Sequence, residues 1–135
     1  MSGDVLRWAI ILTVFAHGVG HILFMPVLAP ALKLDASGHS WLLSGILGDG
    51  PTRLLASAAG LALVGAFIVA SAGLAIQMPW WRPLAIGAAV GSLLLVVAMW
   101  DGLPRSSAAF AVALDLVALI ALVIALWPSP ESVGA

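Results

Sequence analysis

Four long apolar runs, separated by short polar punctuation, divide the chain at about residues 5–27, 52–76, 80–100 and 105–127. Each reaches the length of about 20 residues that a helix needs to cross the hydrocarbon core of a bilayer. Their ends carry stop and start signals. Asp4 is suited to cap the first run, and Pro26 and Pro30 mark its exit. Asp49-Gly50-Pro51 opens the second as a cap followed by proline. The third begins at Pro79 to Pro83 and ends at Trp100, and the fourth runs from Arg105 and Ser106 to Trp127-Pro128. The turns at Gln77 to Arg82 and Asp101 to Pro104 are so short that each must join an antiparallel pair. The pattern therefore predicts an all-α polytopic membrane protein: one transmembrane domain over residues 1–135, folded as an up-down four-helix bundle.

The exception to short turns is the loop at residues 31–50. It holds Lys33, Asp35, His39 and Asp49, with an apolar patch of Trp41, Leu42, Leu43, Ile46 and Leu47 around Ser44-Gly45. That composition fits either a short hairpin or an interfacial turn lying over one mouth of the bundle. Arg7 ahead of the run from Trp8 to Ala16 has the outline of a secretory leader, but the apolar stretch resumes through Phe24 to Val27 and reaches full spanning length. A retained first span is expected.

Composition sharpens this picture. The chain is 63% hydrophobic and 8% charged, with a mean hydropathy of +1.19, where soluble domains carry about 25% charged residues. A formal net charge of −1 gives no footprint for nucleic acid. The absence of cysteine excludes disulfides, thiolate metal sites and dithiol redox centres. The lipid bilayer is the first partner. Trp8, Trp80, Trp81 and Trp127 fall at the end of the spans where the termini lie, and Trp41 and Trp100 at the other, as an aromatic belt would. One extra positive charge on the loop side, Lys33, Arg53 and Arg105 against Arg7 and Arg82, points the termini away from the cytoplasm. Gln77 and Arg82 read as interfacial anchors, with Arg82 snorkelling to the headgroups. Ala56 with Gly60, and Gly87 with Gly91, have the small-residue spacing that lets helices approach closely, within one bundle or, through Gly87 and Gly91, in a homo-oligomer.

Against this background, two histidines in the first span stand out. At 100° per residue Thr13, His17, Gly20, His21 and Phe24 share one face, and Gly20 leaves a notch between the rings. Glycine also weakens the helix, so a local distortion is expected there. Asp115 is the carboxylate deepest in any span, flanked on its face by Ala108, Ala111 and Ala118. At 1.5 Å per residue, His17 is about 18 Å from Val5 and Asp115 about 15 Å from Arg105. In a core about 30 Å thick they lie about 12 and 15 Å from the same surface and can meet. Ionisable groups at that depth mark a functional site. Three chemistries fit. His17, His21 and Asp115 could ligate one divalent ion, since histidines at i and i+4 suit a single metal. Two histidines of one helix cannot be opposite axial ligands of a haem, so a haem or chlorin would use one of them with a ligand from elsewhere. Alternatively the group exchanges protons or binds a small solute, or an Asp115–His17 bond simply fixes the register of two spans. Thr13 is expected as a supporting hydrogen-bond donor, and His39 as a solvated loop residue.

Ala16-His17-Gly18-Val19-Gly20-His21, Trp80-Trp81-Arg82-Pro83-Leu84-Ala85-Ile86 and Asp115-Leu116 together resemble small bacterial four-span proteins of the broad DoxX-like type. The resemblance implies a four-helix bundle in a prokaryotic inner membrane and a link to quinone-associated redox systems or accessory subunits. It brings no catalytic residue. The functional expectation is a protein that binds a ligand, metal or redox cofactor at His17, His21 and Asp115. An accessory subunit of a larger membrane complex and a proton-coupled transporter of small solutes are the alternatives.

Overall fold

The computed structural model describes residues 3–133, which form helices and connecting loops with no strand among them. Helix α1 (Gly3–Gly20) tightens into a 3-10 turn at His21–Phe24. Two one-turn helices, α2 (Ala29–Leu32) and α3 (Ser44–Leu47), punctuate the long loop. Helix α4 (Asp49–Ala75) is the longest, followed by α5 (Trp81–Ala98), α6 (Arg105–Leu119) and a terminal turn, α7 (Pro130–Val133). Helix α6 widens into a π-helical turn at Ile120–Ile124. Four segments are long and apolar enough to cross a membrane: Gly3–Phe24, Asp49–Ala75, Trp81–Ala98 and Arg105–Ile124. Their outer surface carries Phe15, Leu55, Leu61, Leu94 and Leu116, all exposed, as a lipid-facing surface requires.

The four long helices pack as a curled row, α1 on α4, α4 on α5 and α5 on α6, while α1 and α6 make no extended contact. Close approach of α1 and α4 depends on Gly18, where any Cβ would overlap Phe67. Two apolar clusters fill the interior. One, with Ala56, Val96, Met99, Leu103, Ala108 and Ala111, lies toward the long loop; the other, with Ile11, Ala70, Leu74, Trp81, Ala85 and Leu122, lies toward the termini. The polar centre of the protein sits between them.

Several helix ends differ from expectation, each for a local reason. Asp4 lies within the first turn of α1 and pairs with Arg7 at 2.9 Å. Helix α4 begins at Asp49, with Gly48 ahead of it at φ 82° in the cap position, so the carboxylate of Asp49 is left to accept from His39 at 2.9 Å. Trp81 is buried in the core and takes no part in an interfacial belt. Arg82 does not reach outward: Nη2 and Nε donate to the Leu122 carbonyl at 2.7 and 3.2 Å, and Nη1 donates to the Pro128 carbonyl at 3.3 Å. The π turn explains this, because Ala125 N–H bonds back to Ile120 O and Trp127 N–H to Ala121 O, which leaves the Leu122 carbonyl for the guanidinium. Gly91 faces Leu63 of α4 while Gly87 faces outward, so the two do not form one free face.

The loop contains no hairpin. It crosses the end of α5: Ser37 N–H donates to Gly102 O, the buried Ser40 hydroxyl to Ala98 O at 2.6 Å, and Trp41 Nε1 to Val97 O at 2.7 Å. These bonds tie the loop to carbonyls in the last turn of α5 and in the 3-10 turn that follows it.

Candidate functional site

His17 and His21 lie one turn apart where α1 gives way to the 3-10 turn, which sets both rings toward the interior. His21 Nδ1 donates to the His17 carbonyl at 3.0 Å. A carbonyl only accepts, so this nitrogen carries a proton. His21 Nε2 lies 2.7 Å from Ser92 Oγ on α5, and Ser92 Oγ lies 2.5 Å from Asp115 Oδ2 on α6. Asp115 Oδ1 completes the chain at 2.8 Å from His17 Nε2. Three helices are thus joined through one line of side chains, His21–Ser92–Asp115–His17, with His21 and Ser92 wholly buried and Asp115 1% exposed. Phe67 of α4 lies beneath both rings, edge-on to His17 at 4.9 Å and stacked on His21 at 5.5 Å.

The structure therefore brings His17, His21 and Asp115 together and leaves Thr13 out. The Thr13 hydroxyl donates to Ala9 O at 2.8 Å within its own helix, so it is not the supporting donor expected from its place on the histidine face. His39 sits on the surface with Asp49. Ser92 is the member that sequence reasoning missed. Its one signal is position: it falls on the buried stripe Trp81, Ala85, Ala88, Ser92, Val96 of α5, where it is the sole residue with a polar side chain besides the tryptophan.

His17, His21 and Asp115, the three residues of the expected metal arrangement, stand here as a hydrogen-bonded line. A coordination sphere needs ring nitrogens and carboxylate oxygens converging on one point. Here both nitrogens of His21 are engaged in hydrogen bonds, and His17 Nε2 meets the Asp115 carboxyl directly. Among the described residues no group of three or more His, Cys, Asp or Glu is placed to hold a metal ion.

The separation of α1 and α6 leaves a cleft that the His17–Asp115 bond crosses at mid-depth. On the loop side the cleft has a volume of about 730 Å³ and is lined by Thr13, Ala16, Gly20, Phe24, Phe110 and the hydroxyls of Ser106 and Ser107, among others. On the terminal side it is narrower, about 290 Å³, and almost wholly apolar, with Ile10, Trp81, Val117 and Leu122 in its walls. His17 and Thr13 border both parts. Nothing lies within 4 Å of where a Gly20 side chain would begin, so the notch between the histidines opens into the loop-side part. His17 Nδ1 is the one side-chain polar atom of the cluster with no hydrogen bond among the described residues, and the His17 side chain is 12% exposed. A hydrogen-bonding atom thus borders an apolar cleft deep within the spans. Comparison with protein-family models, with curated proteins and with solved structures gives no match for this chain.

Proposed function

We propose that the protein binds a small membrane-soluble molecule in the cleft between α1 and α6, held by a hydrogen bond to His17 Nδ1. The setting implied by the resemblance of its spans is a prokaryotic inner membrane. The observation that carries the reading is the pairing of a side-opening apolar cleft with His17, whose ring borders it with Nε2 engaged by Asp115 and Nδ1 without a hydrogen bond among the described residues. With Nε2–H donating to Asp115, the neutral His17 ring offers a lone pair at Nδ1, so the complementary ligand group is an O–H or N–H donor. The walls supply apolar contact of about 25 cal/mol per Å² buried, and the imidazole fixes which end of the ligand points inward. An apolar molecule ending in a hydroxyl matches both requirements.

A pair of photoreactive probes tests this: a diazirine-bearing long-chain alcohol and the corresponding alkane, applied to the full chain in liposomes. The alcohol is expected to label the segments Leu12–Phe24 and Ser106–Leu114 in preference to the alkane. Gly20→Leu, whose Cβ has no atom within 4 Å, places a branched side chain in the notch and should remove the preference. Equal labelling by alcohol and alkane would sink the idea.

A further inference from the structure

We infer that the cluster holds one resident proton beyond those of two neutral histidines, a serine and a carboxylate, and that the Ser92 hydroxyl lets this proton pass between His21 and Asp115. The inference stands on the bonds alone and does not depend on a ligand in the cleft. Four contacts bind the cluster: His21 Nδ1 to His17 O, His21 Nε2 to Ser92 Oγ, Ser92 Oγ to Asp115 Oδ2, and Asp115 Oδ1 to His17 Nε2. Each needs one hydrogen, hence four in all. Two neutral imidazoles and one hydroxyl supply three. If Asp115 were a carboxylate with no further proton, the single Ser92 hydrogen would serve one of its two neighbours, and the other contact would set two lone pairs face to face.

The fourth proton resolves this in two equivalent ways. In one, His21 is an imidazolium: Nε2–H donates to Ser92 Oγ, and Ser92 O–H donates to the Asp115 carboxylate. In the other, Asp115 is a carboxylic acid: Oδ2–H donates to Ser92 Oγ, and Ser92 O–H donates to a neutral His21 Nε2. Conversion moves the Nε2 proton to Ser92 Oγ as the hydroxyl proton passes to Asp115 Oδ2, with no proton gained or lost. Either form leaves the cluster with no net charge, the state favoured for groups buried this deeply within the spans. Among the described residues no other ionisable group of the packed helices is near enough to supply a counter-charge. On α1 the rest are Asp4 and Arg7 near its start, on α4 Asp49 and Arg53 at the loop end, on α5 Arg82 bound to α6 carbonyls, and on α6 Arg105 at its first turn. Phe67 and Ser92 are what α4 and α5 present to the rings.

Solid-state NMR of the full chain in liposomes, with ¹⁵N in histidine rings and ¹³C in aspartate carboxyls, counts these protons directly at neutral pH; His39→Asn removes the surface signal. The expected total is one proton shared over His21 Nε2 and the Asp115 carboxyl, wherever it rests. A total of zero, with both rings singly protonated and Asp115 ionised, would overturn the inference, as would a total of two. Asp115→Asn gives a second arm. An amide in place of the carboxyl accepts from His17 and donates to Ser92, reproducing the acid form. It should keep the thermal stability of the wild type with His21 neutral and protonated at Nδ1. Loss of folding in Asp115→Asn, where the carboxylic acid form predicts none, would count against the inference.

Discussion

Ser92 stands between two buried groups, so its removal orphans both at once. In Ser92→Ala neither His21 Nε2 nor Asp115 Oδ2 has another partner within reach. Interhelical hydrogen bonds in membranes average about 0.6 kcal/mol, because the unfolded chain in the bilayer also finds partners. An enclosed donor or acceptor left unsatisfied costs about 1–3 kcal/mol, and the full burial of these atoms puts Ser92 on that scale. We expect Ser92→Ala to lose about 2 kcal/mol or more in reversible unfolding from mixed micelles. Combined with Asp115→Ala, the loss should fall short of the sum by about 0.5–3 kcal/mol, whereas strict additivity would mean that hydroxyl and carboxyl do not meet. His17, His21 and Asp115 were legible in the sequence because ionisable groups in an apolar span have few reasons to be there. Hydroxyls are not legible in the same way. A serine or threonine in a helix can satisfy itself on its own backbone, as Thr13 does on Ala9 O and Ser71 on Phe67 O. Position on a buried stripe does not separate them either, since Ser71 is buried on α4 as Ser92 is on α5, yet only Ser92 reaches across to other helices.

At the scale of helices, the centres of the spans follow from hydropathy, while their ends follow from bonds that no hydropathy pattern contains. Arg82 reads as a headgroup anchor until the π turn of α6 frees the carbonyl it binds, and that turn lies in the uniformly apolar run Ile120–Ile124. Gly48 takes the cap position that the sequence pattern assigns to Asp49, since it tolerates φ 82° where Asp49 would not. The other end of α4 lacks such a residue. Gln77 adopts φ 58° there, with its N–H bonded to Leu74 O and the next N–H to Gly73 O at 2.8 Å. Helix ends of this kind favour glycine, and a side chain in the left-handed region costs about 1 kcal/mol. Gln77→Gly should therefore stabilise the protein by about 0.5–1 kcal/mol, with Gln77→Ala close to wild type as the control. A destabilised glycine variant in the same unfolding assay would assign the Gln77 side chain a contact of its own.

For the whole molecule, four spans and the meeting of the first with the last could be read from the chain, but the cleft between them could not. Residues facing lipid and residues facing a cleft within the membrane are equally apolar, so Leu12 and Phe110 give no hint of which they do. The structure instead adds to the question of orientation. Of the two positive charges on the terminal side, Arg7 is held by Asp4 and the Val133 carbonyl, and Arg82 by Leu122 and Pro128. On the loop side Lys33 and Arg105 are exposed and free to meet anionic headgroups, while Arg53 bonds Pro26 O. A one-charge difference in the sequence thus becomes an imbalance of two exposed cations against none, which favours a cytoplasmic loop side. The cysteine-free chain makes this testable with single exposed substitutions, Glu131→Cys near the C-terminal turn and Asp101→Cys between α5 and α6. In sealed right-side-out vesicles, a membrane-impermeant maleimide should label Glu131→Cys at once and Asp101→Cys after permeabilisation. The reverse order would invert the orientation and keep the four crossings, but labelling of both from outside would remove the four-span topology itself.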